Sequence, residues 1–436
     1  MRKLFLITLA FGLLFCSTLF AYELPFDAGN IDFGGATVTY VGFYDPRENF
    51  MEGGDYPGRL AEAMEKFNIG DIQYLGLPWD GIAEHMMNRF LSDESKYDIW
   101  LLPSNAVMGL IAKNALYPIS KIVPASYYDS LLYSQKVVTE TFVKKGEKYA
   151  LGAGTSPIGV LEFVVWNKDI FSREGLPPLD ELYLSGEWTY DKMEEIAVQA
   201  TRDTDGDGVL DLWGIGNLDI TVWGFSNGAN PTKIDEQGRH VYAYNDEAAT
   251  YYLSKLRQWT QVMDISVGDW QQKEFLAGQV AMASFPLWNI IDPSFTDVVE
   301  FNYGIVPLPK GPHVDDYQFP ARQADSFYLP VNSANPMGLV ALHRYLFRAE
   351  EEEEGIEEML IQAAIDEISY EVLLRAAEEW SGEVYIMEGI LGPTWDTSYP
   401  LGGAIGKALY EGQSPAAAME EVAPVIQQTL DREFNN

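Results

Sequence analysis

The chain has 436 residues, more than one domain usually holds, so two large lobes are expected. Hydrophobic residues at 47% and aromatics at 13% are ample for packed cores and exclude a disordered or fibrous chain. The 65 acidic against 29 basic residues give a formal net charge of -36, which repels phosphate backbones and anionic lipid and argues against a nucleic-acid partner.

Arg2 and Lys3 precede an apolar run over 4–20 that ends in Ala21, the layout of a secretory signal peptide cleaved near Ala21. A retained membrane anchor needs about 20 apolar residues; this run is shorter and is interrupted by Ser17 and Thr18. A third reading makes Cys16 a lipidated terminus, although Phe15 is bulky where lipid attachment wants a small residue. Cys16 is the only cysteine, so a chain cleaved after it has no disulfide, thiolate metal site or Cys nucleophile. The expected location is the periplasm or cell envelope, with 1–21 removed.

Residues 36–43 are β-branched and aromatic and predict a strand, 57–67 a helix, 72–75 a strand and 79–91 a helix, while 97–102 form a short apolar run closed by Pro103. Strands separated by helices of this length imply a parallel sheet with crossovers. Such a sheet binds its ligand beyond the carboxyl ends of its strands. The rim positions are then Tyr44 with its neighbours, Trp79 with Asp80, and Asn105 beside Ser104. Residues 152–159 read GAGTSPIG, without periodicity, and mark a crossover between lobes. A second α/β segment follows, with helices predicted at 190–200, 246–262 and 272–277 and strands at 160–166, 280–285 and 303–306. A Pro/Gly-rich return at 307–312 leads to a strand at 326–329 and a helix at 337–347. The remainder is mostly helical, and Glu350 to Glu354 form an acidic helix start.

Several segments match a known family in order: VVWNKDIF at 164–171, GEWTYDKMEEIA at 186–197 with Thr189 as helix cap, FLAGQVAMASFPLW at 275–288, YGIVPLPKGP at 303–312 and GQSPAAAMEEV at 412–422. Through them the chain resembles the extracellular solute-binding proteins of ABC importers, particularly the sugar-binding group related to maltose-binding protein. The resemblance covers about residues 30 to 430. It implies an α/β, two-lobed periplasmic-binding-protein fold, each lobe a mostly parallel sheet flanked by helices, with a hinge between them. The boundaries it suggests are 1–21 for the signal peptide, 22–158 plus 315–347 for the N-terminal lobe and 159–314 plus 348–436 for the C-terminal lobe. It also implies a carbohydrate ligand, ABC permease transmembrane subunits as partners and a monomer that is not an enzyme. Two departures stand out: Gln279 where the family often has Lys, and a long acidic helical stretch over 350–380.

The segment DTDGDGVLD places Asp203, Asp205, Asp207 and Asp211 at positions 1, 3, 5 and 9, with Gly208 at position 6 and the Val209 carbonyl at 7. Alternating oxygen ligands fit a hard cation, and a structural Ca²⁺ is the one expected, although no cofactor is required for binding. Position 12 is Gly214, not the bidentate Glu of an EF-hand, so a plain Asp/Gly turn after the preceding helix stays open.

A sugar offers apolar C–H faces and a rim of hydroxyls, so its site needs flat aromatic surfaces and short polar groups. Trp79, Trp223, Trp288 and Trp395 all fall at predicted element ends. The resemblance singles out Trp288, whose counterpart stacks on ligand. Asn227 lies beside Trp223, and Arg322, Gln323 and Asp325 follow the return crossover and would face the cleft. The rival class is a secreted glycoside hydrolase using a carboxylate pair in an aromatic cleft. Against it, the sequence has no nucleophile elbow or zinc-protease motif, and His85, His240, His313 and His343 are scattered.

Overall fold

A computed structural model describes residues 22–54, 56–79, 81–92, 97–267 and 272–435. The segment read as a signal peptide, together with Asp80 and Trp270, lies outside the described residues. Among them, the backbone builds two four-stranded sheets.

In the first sheet, β1 (Thr37–Gly42) pairs in parallel with β2 (Asp71–Gly76) on one side and β3 (Ile99–Leu102) on the other. Every residue of β3, Ile-Trp-Leu-Leu, is buried, which is why it reads as a continuous apolar run and not as an alternation. The crossovers are α1 (Arg59–Phe67) and α2 (Ile82–Leu91), and α3 (Ser104–Ala112) starts two residues past β3. In the second sheet the order is β7-β4-β6-β5, from β4 (Glu162–Asn167), β5 (Trp213–Gly216), β6 (Val280–Pro286) and β7 (Tyr303–Pro307). The first sheet is completed by β8 (Ser326–Tyr328), antiparallel to β3.

Each sheet thus has three strands running one way and one running against them. The reversed strands, β4 and β8, are the first that the chain lays down after crossing between sheets, so they enter from the opposite end. Because β4 lies inside its sheet, two of the three pairings there are antiparallel. This differs from the mostly parallel second sheet expected.

The crossings run side by side. Leu161 and Ala321 form an antiparallel bridge, Glu162 N donates to Pro320 O at 2.9 Å and Arg322 N to Val160 O at 3.0 Å. Ala321 N donates to Glu383 O at 2.8 Å, which adds a third strand of chain to the bundle.

The helices between β3 and β6 include α4 (Tyr190–Ala200), capped as expected by Thr189 Oγ1 accepting from Lys192 N at 3.3 Å, and α5 (Val222–Phe225). Then come α6 (Leu287–Ile290), α7 (Pro336–Leu346), α8 (Ala349–Ala363), α9 (Glu367–Glu379) and α10 (Glu388–Leu391). The helix α7 packs on the first sheet, where Arg59 Nη1 donates to Leu346 O at 2.8 Å and buried His343 sits 3.2 Å from the Tyr40 hydroxyl. Burial pushes the His343 imidazole down to about 3, so it is a neutral core group and not a site. None of the helices among the described residues is long and apolar enough to cross a membrane.

Candidate functional site

The parallel strands of both sheets aim their carboxyl ends at one cavity of about 310 Å³. From the first sheet, Trp79 follows β2, and Ser104 and Asn105 open α3 directly after β3. From the second, Asp219 and Thr221 follow β5 and lead into α5, which contributes Val222 and Phe225. The crossing segment supplies Ala321, Arg322 and Gln323. The remaining wall is Tyr385, Glu388, Pro393, Thr394 and Trp395.

Two tryptophans give the cavity its aromatic surfaces. Trp79 is 42% exposed and Trp395 is 71% exposed, so each keeps an indole face open to a ligand. The polar groups between them are hydroxyls and amides: Thr221 Oγ1 and Thr394 Oγ1 lie 2.7 Å apart, and Asn105 bonds the Glu388 carboxylate.

Arg322 organises the charges. Its Nε and Nη2 form a fork on Glu162, at 3.1 Å and 2.8 Å, and its Nη1 reaches Asp219 Oδ2 at 3.0 Å. The other Asp219 oxygen accepts from the backbone N–H groups of Thr221 and Val222, both at 2.8 Å. Glu162 is fully buried at the start of β4, so the arginine supplies the positive charge its carboxylate needs there. Burial and the nearby Asp219 hold the Glu388 carboxyl above its ordinary range, against the opposing hydrogen bond from Asn105.

Trp79, Asn105, Arg322, Gln323 and Trp395 therefore meet in one cavity. Asp325 lies just behind it, with Oδ2 accepting from Gln323 Nε2 at 3.0 Å, and burial pushes its carboxyl up to about 7. Tyr44 is half-exposed and stands edge-on to Phe43 at 5.2 Å; burial of its hydroxyl end, then the Asp325 charge, raise its phenol. Neither residue lines the cavity itself.

Three of the expected residues, two tryptophans and an asparagine, do not line this cavity. Trp223 is 0% exposed, and its indole N–H donates to Ser284 Oγ at 3.0 Å: the residue sits inside α5, not on a loop, with its ring turned into the core. Asn227 is likewise fully buried, donating to Ala248 O at 2.8 Å and accepting from His313 N at 3.2 Å, so it ties loops together. Trp288 is 43% exposed at the start of α6 but is not among the residues lining the cavity.

Conversely, Asp219, Thr221, Tyr385, Glu388 and Thr394 line the cavity without having been expected there. The signal that could have found Asp219 is its place just past a strand end, but β5 is the weakly patterned WGIG, which hides the strand.

In the acidic loop, carboxylate oxygens of Asp203, Asp205 and Asp211 lie within 4.8 Å of one another. Asp203 accepts from Gly206 N at 2.6 Å and Gly208 N at 2.7 Å, which lowers its pKa, and Asp211 accepts from the Thr204 hydroxyl and backbone N–H. Asp207 is not in that group; its carboxylate accepts from Val209 N at 2.8 Å. An oxygen-only set of this size fits a hard cation.

The cavity's position, at converging strand ends beside paired crossings, is that of an inter-lobe ligand cleft. Solved structures share the fold. An ABC substrate-binding protein from Listeria monocytogenes in complex with cycloalternan is 15% identical, with a TM-score of 0.59, over 91% of this chain and 99% of that one. The maltose/maltodextrin-binding domain MalE from Bdellovibrio bacteriovorus, bound to maltotriose, is 17% identical with a TM-score of 0.59, over 92% and 100%. A cyclo/maltodextrin-binding protein complexed with maltotetraose is 16% identical with a TM-score of 0.63, over 90% and 97%. No curated protein matches by sequence. A sequence model described as bacterial extracellular solute-binding protein matches residues 59–360, which is more than half of the chain and takes in the first crossover, every strand of the two sheets except β1 and most of the cavity wall, so the chain belongs to the bacterial extracellular solute-binding protein family.

Proposed function

We propose that this protein is the extracytoplasmic substrate-binding component of an ABC importer, and that it captures a carbohydrate in the cavity between Trp79 and Trp395 and delivers it to a membrane permease. The observation that carries the reading is the pairing of two exposed indoles with a rim of amides, hydroxyls and carboxylates in one cavity. The bound sugars named for structures of the same fold support the ligand class. Closure of two lobes about the paired crossings would bury the ligand and create the surface a permease recognises. The lobes in this reading are 22–158 plus 315–347 and 159–314 plus 348–436.

Binding needs no chemistry. Asp219 and Glu388 share the cavity, as a glycosidase pair would, but both oxygens of Asp219 are held by Arg322 and backbone N–H groups, which suits a positioned acceptor better than a nucleophile. A thermal-shift panel of sugars and polyols tests the reading. A dose-dependent rise with one sugar class, the sugar being recovered intact, supports binding; consumption of the sugar would point to the hydrolase.

The acidic loop is proposed to hold a structural Ca²⁺ through Asp203, Asp205 and Asp211 with the Val209 carbonyl. Removing calcium with a chelator should lower the melting temperature, and Asp203→Asn should abolish that difference. An unchanged melting curve would leave the loop as a plain turn.

A further inference from the structure

Among the described residues, three charged side chains line the cavity: Asp219, Arg322 and Glu388. No lysine is among the described lining residues, and Arg322 is engaged, with its fork on Glu162 and its third nitrogen on Asp219. Asp219 is compensated on both oxygens by Arg322 and by two backbone N–H groups. Glu388 differs from both. Its described polar partner is the neutral amide of Asn105, and the charge acting on it from the adjoining wall is the like-signed Asp219. Together with Glu162, these groups set three negative charges against one positive.

A carboxylate that a closing cleft buries further is expensive unless a positive charge or strong donors meet it. From these contacts we propose that Glu388 reads the charge of the solute: the cleft takes a carbohydrate bearing a protonated amine in preference to a neutral one, and turns away a carboxylated or phosphorylated one. The inference rests on the carbohydrate reading above and specifies it.

Among the described residues that line the cavity, the groups around Glu388 come from three further elements. Asp219 comes from the loop after β5, Arg322 from the crossing segment with Glu162 behind it, and Asn105 from α3. Tyr385 precedes α10 and donates its hydroxyl to Gly392 O at 3.0 Å, and a phenol brings no positive charge. An ammonium placed against Glu388 therefore meets a carboxylate without a cation competing for it. A uronate or sugar phosphate would meet Glu388 and Asp219 with only a committed arginine to offset the repulsion.

The test is calorimetric titration of the exported chain at pH 6.5, where a sugar amine is protonated. The probes are matched triads: glucosamine, glucose and glucuronate; galactosamine, galactose and galacturonate; and disaccharides of each kind. Within any triad that binds, the amine should bind about tenfold tighter than the neutral sugar, with the acid weakest. Glu388→Gln should bring amine and neutral sugar within about twofold of each other, while Glu388→Asp keeps the order. The melting temperature of each free variant, measured alongside, confirms that it folds. Neutral and amino sugars of equal affinity, an acid that binds best, or an amine preference that survives Glu388→Gln would overturn the proposal and leave the carbohydrate reading standing. If no sugar of any charge binds, the carbohydrate reading fails and this proposal fails with it.

Discussion

An indole that stacks on a sugar must keep one face open in the empty protein, and this separates Trp79 and Trp395 from the buried tryptophans. Truncating either exposed ring removes ligand contact and little packing. We expect Trp395→Ala and Trp79→Ala to weaken carbohydrate binding by about tenfold or more while leaving the melting temperature of the free protein nearly unchanged. Trp223→Ala should instead destabilise by about 3–5 kcal/mol, because its fully buried ring fills the core and bonds Ser284. Paired titration and thermal melts distinguish the two classes; a large stability loss at Trp395 would show that its ring supports the fold.

The cavity wall depends on how closely α10 approaches α3. At Gly389 a Cβ would overlap the Asn105 carbonyl oxygen, and the Gly389 carbonyl in turn faces Gly109, where a Cβ would meet it at 3.7 Å. Gly389 thus lets the two helix backbones touch, and this seats Glu388 against Asn105 inside the cavity. The helix α9 just before this wall packs on β7 of the second sheet, while α3 continues from β3 of the first, so the contact joins the two halves. Gly389→Ala should push them apart. The expected outcome is weaker ligand affinity, with a larger radius of gyration for the ligand-saturated protein by small-angle scattering. An unchanged affinity and radius would mean that the helices yield locally without moving the lobes.

Across the whole molecule, two buried carboxyls respond to pH in the opposite sense from paired surface acids. Burial raises Asp325 from 3.8 to about 7, with Ser104 N–H and Gln323 acting against it, and burial raises Glu352 from 4.5 to about 7 despite Arg344. The folded state therefore binds protons more readily than the unfolded chain. The stability these protons confer is complete below about pH 4, is lost as pH rises toward about 7, and is flat above that. Asp325→Asn should leave the melting temperature near pH 4 unchanged and raise stability at pH 8, by a gain on the order of 2 kcal/mol. A difference between the two proteins that does not grow with pH would show that Asp325 is solvated in the folded state.

The sequence by itself determined the α/β plan and most element positions. β1, β2, α4 and β6 fall within a residue or two of where periodicity and capping place them, because local propensity and burial agree there. Trp79, Asn105, Arg322, Gln323 and Trp395, singled out in the sequence, line one cavity in the structure, since a position after a strand end survives folding in a parallel array. Only the tertiary structure decided which way each side chain turned. Trp223 and Trp395 carry the same signal in the sequence, yet one seals a core through Ser284 and the other stays open, because that choice depends on what lies across the fold. The same holds for Glu388, one acid among 65, which gains its meaning from Asn105 and Asp219, residues brought to it from nearly 300 and 170 positions away by the folded chain.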